Sequence, residues 1–592
     1  MADMEQTWFV DIAAVRIQTW LARSARVRYR RGASFRLAGL TSPEALRRVL
    51  PAGGPVVPND EAGQVSGVAS VRFPGAGLTE PEARAIALEA ALAVARHLRG
   101  VFPALPLQAL WGRGKFYVEA YAGDMMSRPP LLDLPALTQE GVASRPCGMC
   151  RSARAVYADV SFVKEAQDKL DLCIDCHSRV RRSDGADRAV AGWVSANDSP
   201  SLLEAQKRLH ADLQKATGEG SFFPNDFGDL ATWIPKAEGD AATQLCTIFA
   251  DGNRIGVLMK EVANHLNELA AADPSATAKR PQIVAGLTVA TRRSVAAAAQ
   301  EAADIGRRAA GPAGSVGLQR VPALVHLADG DDVLMTVPAP AGWGAARRLG
   351  STFAQELKAH IRDAGIPEDL SDFSLSMGMV FHHESHPFAD VVAAAEELLA
   401  AAKKQEKGRR AAIAFLDLTA DGETSVGVCE AAPDQPRRAV TLEELDAWAA
   451  ALTAAADVDA AQRANLLQML REATAEANSE GVTSGPGGDG ETARQALARR
   501  VATMGERRIL ALVGGSTEGA ELLPQDQLEF VARVKQIRAQ LEGNDPMVRD
   551  ELRLHLDVAR WWPPGCLTVA QGVVETAAAS SDNEFEAEGD HA

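Results

Sequence analysis

Pro322-Ala-Leu-Val-His-Leu-Ala-Asp-Gly-Asp-Asp-Val-Leu-Met-Thr-Val-Pro338 consists of two apolar, β-rich runs, 323–328 and 333–337, around an acidic step that contains a glycine. The stretch predicts a β-hairpin. Asp329-Gly330 is the pair a two-residue type I′ turn asks for, because both central positions need positive φ and Asp and Gly tolerate it. Asp331 and Asp332 then open the return strand. Neighbours on a strand face opposite ways, so one of the two can point at a metal while the other points elsewhere. Turn chemistry alone also explains an Asp-Gly step, with solvated acids and no ligand. The rest of the chain has to decide between these readings.

On either side of the hairpin the pattern alternates between strand and helix. Residues 245–250 are a continuous apolar run of strand length that ends at Asp251-Gly-Asn-Arg-Ile-Gly256. A helix follows, with Val257, Leu258, Val262, Leu266 and Leu269 on one face. An aspartate at the end of a buried strand and just before a helix is placed either to hold metal and phosphate or simply to cap the helix. A second long helix covers 281–310. After the hairpin come a helix over 345–364, a strand over 373–382, a helix over 388–404 and a strand over 411–417. This order brings Asp251 and Asp331 onto neighbouring strands.

Upstream, residues 7–12 read as a strand and Val15, Ile17, Trp20 and Leu21 as the apolar face of a helix. Arg23, Arg26, Arg28, Arg30 and Arg31 follow, either as a solvated helix end or as a run able to neutralise phosphates. Residues 51–63 are a Pro/Gly-rich loop and 65–73 a strand. Thr79-Glu80-Pro81-Glu82 is a capping box that starts a helix to about Leu98. Residues 107–121 read as one or two strands. The order suggests an α+β domain of ferredoxin-like type.

Cys147-Gly-Met-Cys150 and Cys173-Ile-Asp-Cys176 are two CxxC pairs separated by 22 residues. Paired thiolates on two turns close a tetrahedron around zinc, and a four-sulfur site is structural rather than catalytic. The competing reading is four reduced thiols or a redox pair. His177 reads as a surface neighbour of the site or a substitute ligand, and Arg179, Arg181 and Arg182 as a solvated turn or an RNA-facing rim. Residues 183–240 hold one clear helix, 202–217, and an irregular stretch, 218–229, that reads as a connection between domains.

Beyond residue 441 the chain is helical in pattern. Thr441-Leu-Glu-Glu444 caps a helix through Leu452, and further helices are expected over 460–477, 492–511, 525–541 and 547–562, with a Gly-rich linker at 478–491. The bundle reads as a docking domain or a passive cap. The acidic tail, 575–592, is expected to be disordered.

Length and composition bound these readings. A chain of 592 residues is too long for one core. Apolar residues at 46% and charged residues at 24% are ordinary for a globular protein. A net charge of -16 argues against a protein that coats nucleic acid non-specifically. No apolar run reaches bilayer length and the N-terminus lacks a signal-peptide pattern, so a cytoplasmic location without membrane contact is expected. Seven cysteines, four of them in close pairs, fit metal binding in a reducing compartment.

Taken in order, the basic N-terminal domain, the CxxC pairs, Ala250-Asp251-Gly252-Asn253-Arg254-Ile255-Gly256 and Asp329-Gly-Asp-Asp332 resemble the large palm-domain subunit of type III CRISPR effector complexes. Val10-Asp-Ile-Ala-Ala-Val15, Ala22-Arg-Ser-Ala-Arg26 and Gly32-Ala-Ser34 look like that family's first-palm opening. The 373–404 stretch is similar to its closing strand and helix, and the helix end also resembles the Ala-Lys-x-x-Gly-Arg of diguanylate cyclases. The resemblance implies an α+β multidomain protein with two ferredoxin-like palm domains, a zinc ribbon and a C-terminal helical bundle. The implied divisions are 1–125 first palm, 126–185 zinc ribbon, 186–240 connection, 241–430 second palm, 431–572 helical domain and 573–592 tail.

The function the resemblance implies is target-RNA-activated synthesis of cyclic oligoadenylate from ATP. Two divalent ions, Mg2+ or Mn2+, bridge the 3′-hydroxyl of one ATP and the α-phosphate of another. Asp251 and Asp331 are the implied ligands and Asp332 a supporting carboxylate. Gly252, Gly330 and Lys403 border the nucleotide, Lys403 as a triphosphate contact, and Cys147, Cys150, Cys173 and Cys176 hold Zn2+. Implied partners are the effector backbone and small subunits, guide RNA and target RNA. The chain departs from the family pattern at Asp329, where the family's hairpin has glycine, and at Asn253, where it has an acid. It also contains no His-Asp dipeptide, so the family's single-stranded DNase is not expected. The alternatives are a catalytically decayed palm scaffold and a diguanylate-cyclase-like enzyme.

Overall fold

The computed structural model describes residues 6–24, 27–62, 67–135, 145–151, 153–161, 169–183, 200–218, 221, 223–224, 226–232, 243–270, 276, 279–314, 320–367, 373–421, 439–456, 554 and 557–562. The chain divides into two compact units, 1–431 with 439–442 and 432–438 with 443–592. Of the second unit the described part is one helix, Leu442–Ala456, with Glu443 and Glu444 in its first turn, and a short buried stretch around Val558 and Trp562. The helices expected over 460–541, the linker and the acidic tail lie outside the described residues.

The first unit begins with β1 (Thr7–Ala14), α1 (Ile17–Ala22), α2 (Val27–Leu40), α3 (Pro43–Val49), β2 (Val57–Pro58), β3 (Val68–Pro74), α4 (Glu80–Val101), β4 (Leu107–Gly114), α5 (Tyr117–Gly123) and β5 (Leu132–Leu134). The strands form one sheet in the order β2-β3-β1-β4-β5, with β1 antiparallel to both neighbours. Along β1, Trp8, Val10 and Ile12 face α4 and meet its Ala83, Ala87, Ala90, Ala91, Val94 and Leu98. The alternate residues Phe9 and Asp11 face α5. The capping box forms as read: the Glu82 carboxylate accepts from the Thr79 backbone N–H at 2.9 Å and from its hydroxyl at 2.7 Å.

Two expectations change here. Residues 117–123 form helix α5 rather than a second strand. Arg30 of the basic run is not part of a solvated helix end, because it is buried within α2. Its guanidinium lies 3.9 Å over the ring of Phe388 and 5.1 Å over that of Phe227, and it donates to the Ser24 carbonyl at 2.8 Å. Burial, with the nearby charge of Arg179 adding, pushes its pKa down to about 9.

Next come β6 (Tyr157–Ser161), β7 (Lys169–Leu172) and α6 (Ile174–Ser183), which carry the cysteines, then α7 (Pro200–Thr217) and α8 (Phe227–Ala231). The second sheet is built from β8 (Gln244–Gly252), β9 (Leu324–Asp329), β10 (Asp332–Pro338), β11 (Leu375–His383), β12 (Ala412–Asp417) and β13 (Ala439–Thr441). It is crossed by α9 (Ile255–Ala270), α10 (Arg280–Gly314), α11 (Gly342–Asp363) and α12 (Phe388–Glu406). Its order is β13-β12-β11-β8-β10-β9. Within it, β11-β8-β10-β9 is the antiparallel four-strand order of a split βαβ unit, and β12 extends it in parallel with β11.

Leu245 and Phe249 of β8, Leu334 of β10 and Val380 of β11 face α12 and meet its Val391, Val392, Ala395, Leu398 and Leu399. On the other face Trp343 of α11 rests against Phe381 and Phe415. β8 is therefore covered on both sides, which is why it reads as an unbroken apolar run. Its C-terminal end meets the β9–β10 turn and the last turn of α12.

Among the described residues no helix is long and apolar enough to cross a membrane.

Candidate active site and cysteine cluster

Asp251 lies one residue before the end of β8 and shares a face with Leu245 and Phe249, the face that α12 covers. Lys403, in the last turn of α12, donates to the Asp251 carboxylate and, at 2.8 Å, to the Gly252 carbonyl. The Asp331 carboxyl lies beside this pair. Burial, then the neighbouring Asp251 charge, pushes its pKa up to about 7, against the pull of Lys403. Gly252 makes the approach possible: a Cβ there would sit 2.5 Å from Asp331 Oδ2 and 2.2 Å from Ile255 Cγ1. Two carboxylates and a backbone carbonyl thus surround a position that draws positive charge, and the Lys403 ammonium occupies it as a stand-in cation.

The hairpin forms, but its turn is displaced by one residue from the reading. Asp329 pairs with Asp332, leaving Gly330 and Asp331 as the central residues. Gly330 has φ +60° and Asp331 is not among the described residues with positive φ, the pattern of a type II′ turn with glycine first. Asp331 is therefore carried by the turn and not by the return strand. The Gly330 carbonyl accepts from the Thr291 hydroxyl of α10 at 2.5 Å. Asp332 opens β10. The register that pairs Val333 with Ala250 continues to Asp332 beside Asp251, a position on the α12 side of the sheet.

Asn253 is buried, and its amide nitrogen donates to Ser374 Oγ at 2.9 Å and to the Arg410 carbonyl at 3.0 Å. Its backbone N–H reaches the Ser374 carbonyl at 2.8 Å. The residue stitches the end of β8 to the segments before β11 and before β12. Nothing in the sequence pattern marks this stitch or the Thr291 contact, because each joins residues far apart in the chain.

The four cysteine sulfurs lie within 4.8 Å of one another. Cys150 and Cys173 are 3.8 Å apart. A tetrahedron with Zn–S bonds of about 2.3 Å has edges of about 3.8 Å, so the donor set fits zinc in size and chemistry. Cys147 and Cys150 flank a turn closed by Cys147 N–H to Ala153 O at 2.8 Å, and Cys173 and Cys176 lie at the start of α6. Arg179 is a structural anchor and not a solvated residue. It pairs with Asp175 at 3.0 Å, stacks 4.0 Å over Trp20, and donates to the Trp20 and Leu21 carbonyls at 2.9 and 3.3 Å. His177 stacks on Tyr157 with ring centroids 3.7 Å apart.

Residues 244–414 match the family model described as Cas10/Cmr2, second palm domain. No curated protein matches the chain. Among solved structures, a Csm1-Csm4 cassette in complex with cA4 aligns at 12% identity and TM-score 0.42, covering 91% of this chain and 71% of that one. A Csm1-Csm4 cassette in complex with one ATP aligns at 11% identity and TM-score 0.45, covering 94% and 70%. A Csm1-Csm4 subcomplex of the type III-A CRISPR-Csm interference complex aligns at 13% identity and TM-score 0.40, covering 90% and 70%.

Proposed function

We propose that this chain, which carries a Cas10/Cmr2 second palm domain in residues 244–414, is the large subunit of a type III CRISPR RNA-guided effector complex and makes cyclic oligoadenylate from ATP. The observation that carries the reading is the meeting of Asp251 and Asp331 over Gly252 inside that domain. Asp251 and Asp331 are the ligands for Mg2+ or Mn2+, with Asp332 in support. These ions suit an all-oxygen donor set, and when bound they lower the pKa of the attacking 3′-hydroxyl and offset charge on the α-phosphate.

The chain's own residues supply the rest. Gly252 leaves room for Asp331 to come close to β8, and Gly330 lets the turn place it there. Lys403 bonds the Asp251 carboxylate and the Gly252 carbonyl from the end of α12, where its ammonium would lie within reach of a bound triphosphate. The sheet and α12 exclude water from one side of the acid pair.

In the same reading, residues 1–125 are a first palm, 126–185 a zinc ribbon held by Cys147, Cys150, Cys173 and Cys176, and 186–240 a connection. Residues 241–430 are the second palm, 431–572 a helical domain and 573–592 a tail. The partners are guide RNA, target RNA and the backbone and small subunits of the effector.

The test is incubation of the assembled complex with ATP, Mg2+ and target RNA, followed by detection of cyclic oligoadenylates. Product is expected from the parent protein and only background from Asp331→Ala. Absence of product from the parent, with interference unchanged in Asp331→Ala, would overturn the cyclase and leave a scaffold.

A further inference from the structure

We propose that Thr291 is a positioning residue that holds the β9–β10 turn, and with it the Asp331 carboxylate, in place over β8. The inference deepens the cyclase reading and rests on it for its consequence in catalysis. The contact itself is independent of that reading.

Asp331 has little positional tolerance. Its Oδ2 lies so close to Gly252 that a single Cβ there would stand 2.5 Å away. The turn that carries it contains only two residues, Gly330 and Asp331, beyond the last ladder pair. A hairpin tip tied only by its own ladder is a place where the backbone frays and fluctuates, so an acid that must meet another acid there needs an outside hold.

Thr291 is that hold. It is buried on α10, and its hydroxyl lies 2.5 Å from the Gly330 carbonyl and 3.0 Å from the Leu287 carbonyl. The carbonyl four residues back is the usual acceptor for a helical threonine. A hydroxyl has one hydrogen, and the shorter of the two distances runs to the turn. Gly330 is itself buried, so its carbonyl would lose this donor without gaining water.

The helix beneath is fixed at the same level. Arg292 bonds Asp212 of α7 at 2.5 Å, and Arg293 bonds Glu356 of α11 at 2.6 Å. One turn earlier, a Cβ on Gly286 would meet His360 of α11 at 3.1 Å, so the two helices are in close contact. The hydroxyl is thus presented from a braced support, and the turn inherits that bracing.

The test uses the full chain loaded with zinc, in four forms: parent, Thr291→Val, Thr291→Ser and Asp331→Asn. Valine keeps the shape and removes the hydroxyl, whereas serine keeps the hydroxyl. Two quantities are read: hydrogen exchange of the 329–333 amides and Mn2+ binding followed by electron paramagnetic resonance. Thr291→Val is expected to speed exchange at the turn and weaken Mn2+ binding roughly tenfold, the scale of one lost buried hydrogen bond, with Thr291→Ser close to the parent in both. Parent-like exchange in Thr291→Val, or Thr291→Ser behaving like Thr291→Val, would overturn the proposal. If parent and Asp331→Asn bind Mn2+ alike, the metal reading of the palm fails instead, and the exchange data alone decide the role of Thr291.

Discussion

Asn253 stands where the resembling family carries an acid, and its surroundings give it other work. Its amide nitrogen donates to two oxygens at once, Ser374 Oγ and the Arg410 carbonyl. A carboxylate has no hydrogen to give. At this buried position it would face the Arg410 carbonyl oxygen across about 3 Å with nothing between them. Asn253→Asp is therefore expected to destabilise the first unit by about 2–3 kcal/mol, the cost of a buried charged group left without its partner. Asn253→Ala should cost less. Urea unfolding followed at neutral pH measures both, and an aspartate variant as stable as the parent would show that the stitch is dispensable.

At the scale of elements, the closest approach that sets the site is between β11 and α12. A Cβ on Gly378 would lie 1.9 Å from the Ala395 carbonyl and 2.7 Å from the Leu399 backbone nitrogen, which are main-chain atoms of α12. Gly378→Ala must push the helix away from the sheet, and Lys403 lies on the same helix beyond Ala395. The expected result is a loss of about 1–3 kcal/mol of stability, accompanied by a weaker hold of Lys403 on Asp251. Thermal unfolding measures the first, and faster solvent exchange of the Lys403 ammonium protons, followed by nuclear magnetic resonance, measures the second. If both are unchanged, the helix retreats without cost.

The elements differ in how far the sequence revealed them. β8, β11 and α12 were legible because burial on both faces or along one stripe writes itself as apolar runs and helical spacing. α2 and α3 were not, because the arginine run and Gly32 obscure the apolar face that ends on Leu37. The turn was misplaced by one residue since Asp-Gly-Asp-Asp offers two glycine-containing pairs, and only the ladder register chooses between them. Asp251 and Asp331 were readable as candidates from their places at a strand end and a hairpin. Thr291, and the bond by which Lys403 meets Asp251, depend on tertiary packing that no local pattern encodes.

For the whole molecule, the cysteine cluster and its docking onto the first domain invite a metal-removal experiment. The 145–183 region has a small core in which Cys147, Cys173 and Cys176 are themselves members beside Met149, Leu172 and Val180, and to which the first domain adds Tyr29 of α2. So small a core would lean on a metal held by the four cysteines. Chelation of zinc is expected to raise hydrogen exchange across 145–180 while β8 and β11 keep their protection, and readdition of zinc should reverse it. Uniform loss of protection, or none, would contradict this division.

Arg30 links the two sheets in a different way. Its helix belongs to the first domain, and the rings that receive its guanidinium, Phe227 and Phe388, belong with the second sheet. Pulling the halves apart exposes both rings and gives up the cation–π contacts, so the junction contributes an interface free energy of the kind that couples neighbouring units in a solenoid. Such coupling raises the melting of the weaker half toward that of the stronger. The two sheets, though built from separate strands and separate cores, are therefore expected to unfold in urea as one transition, with a denaturant slope set by their summed buried surface.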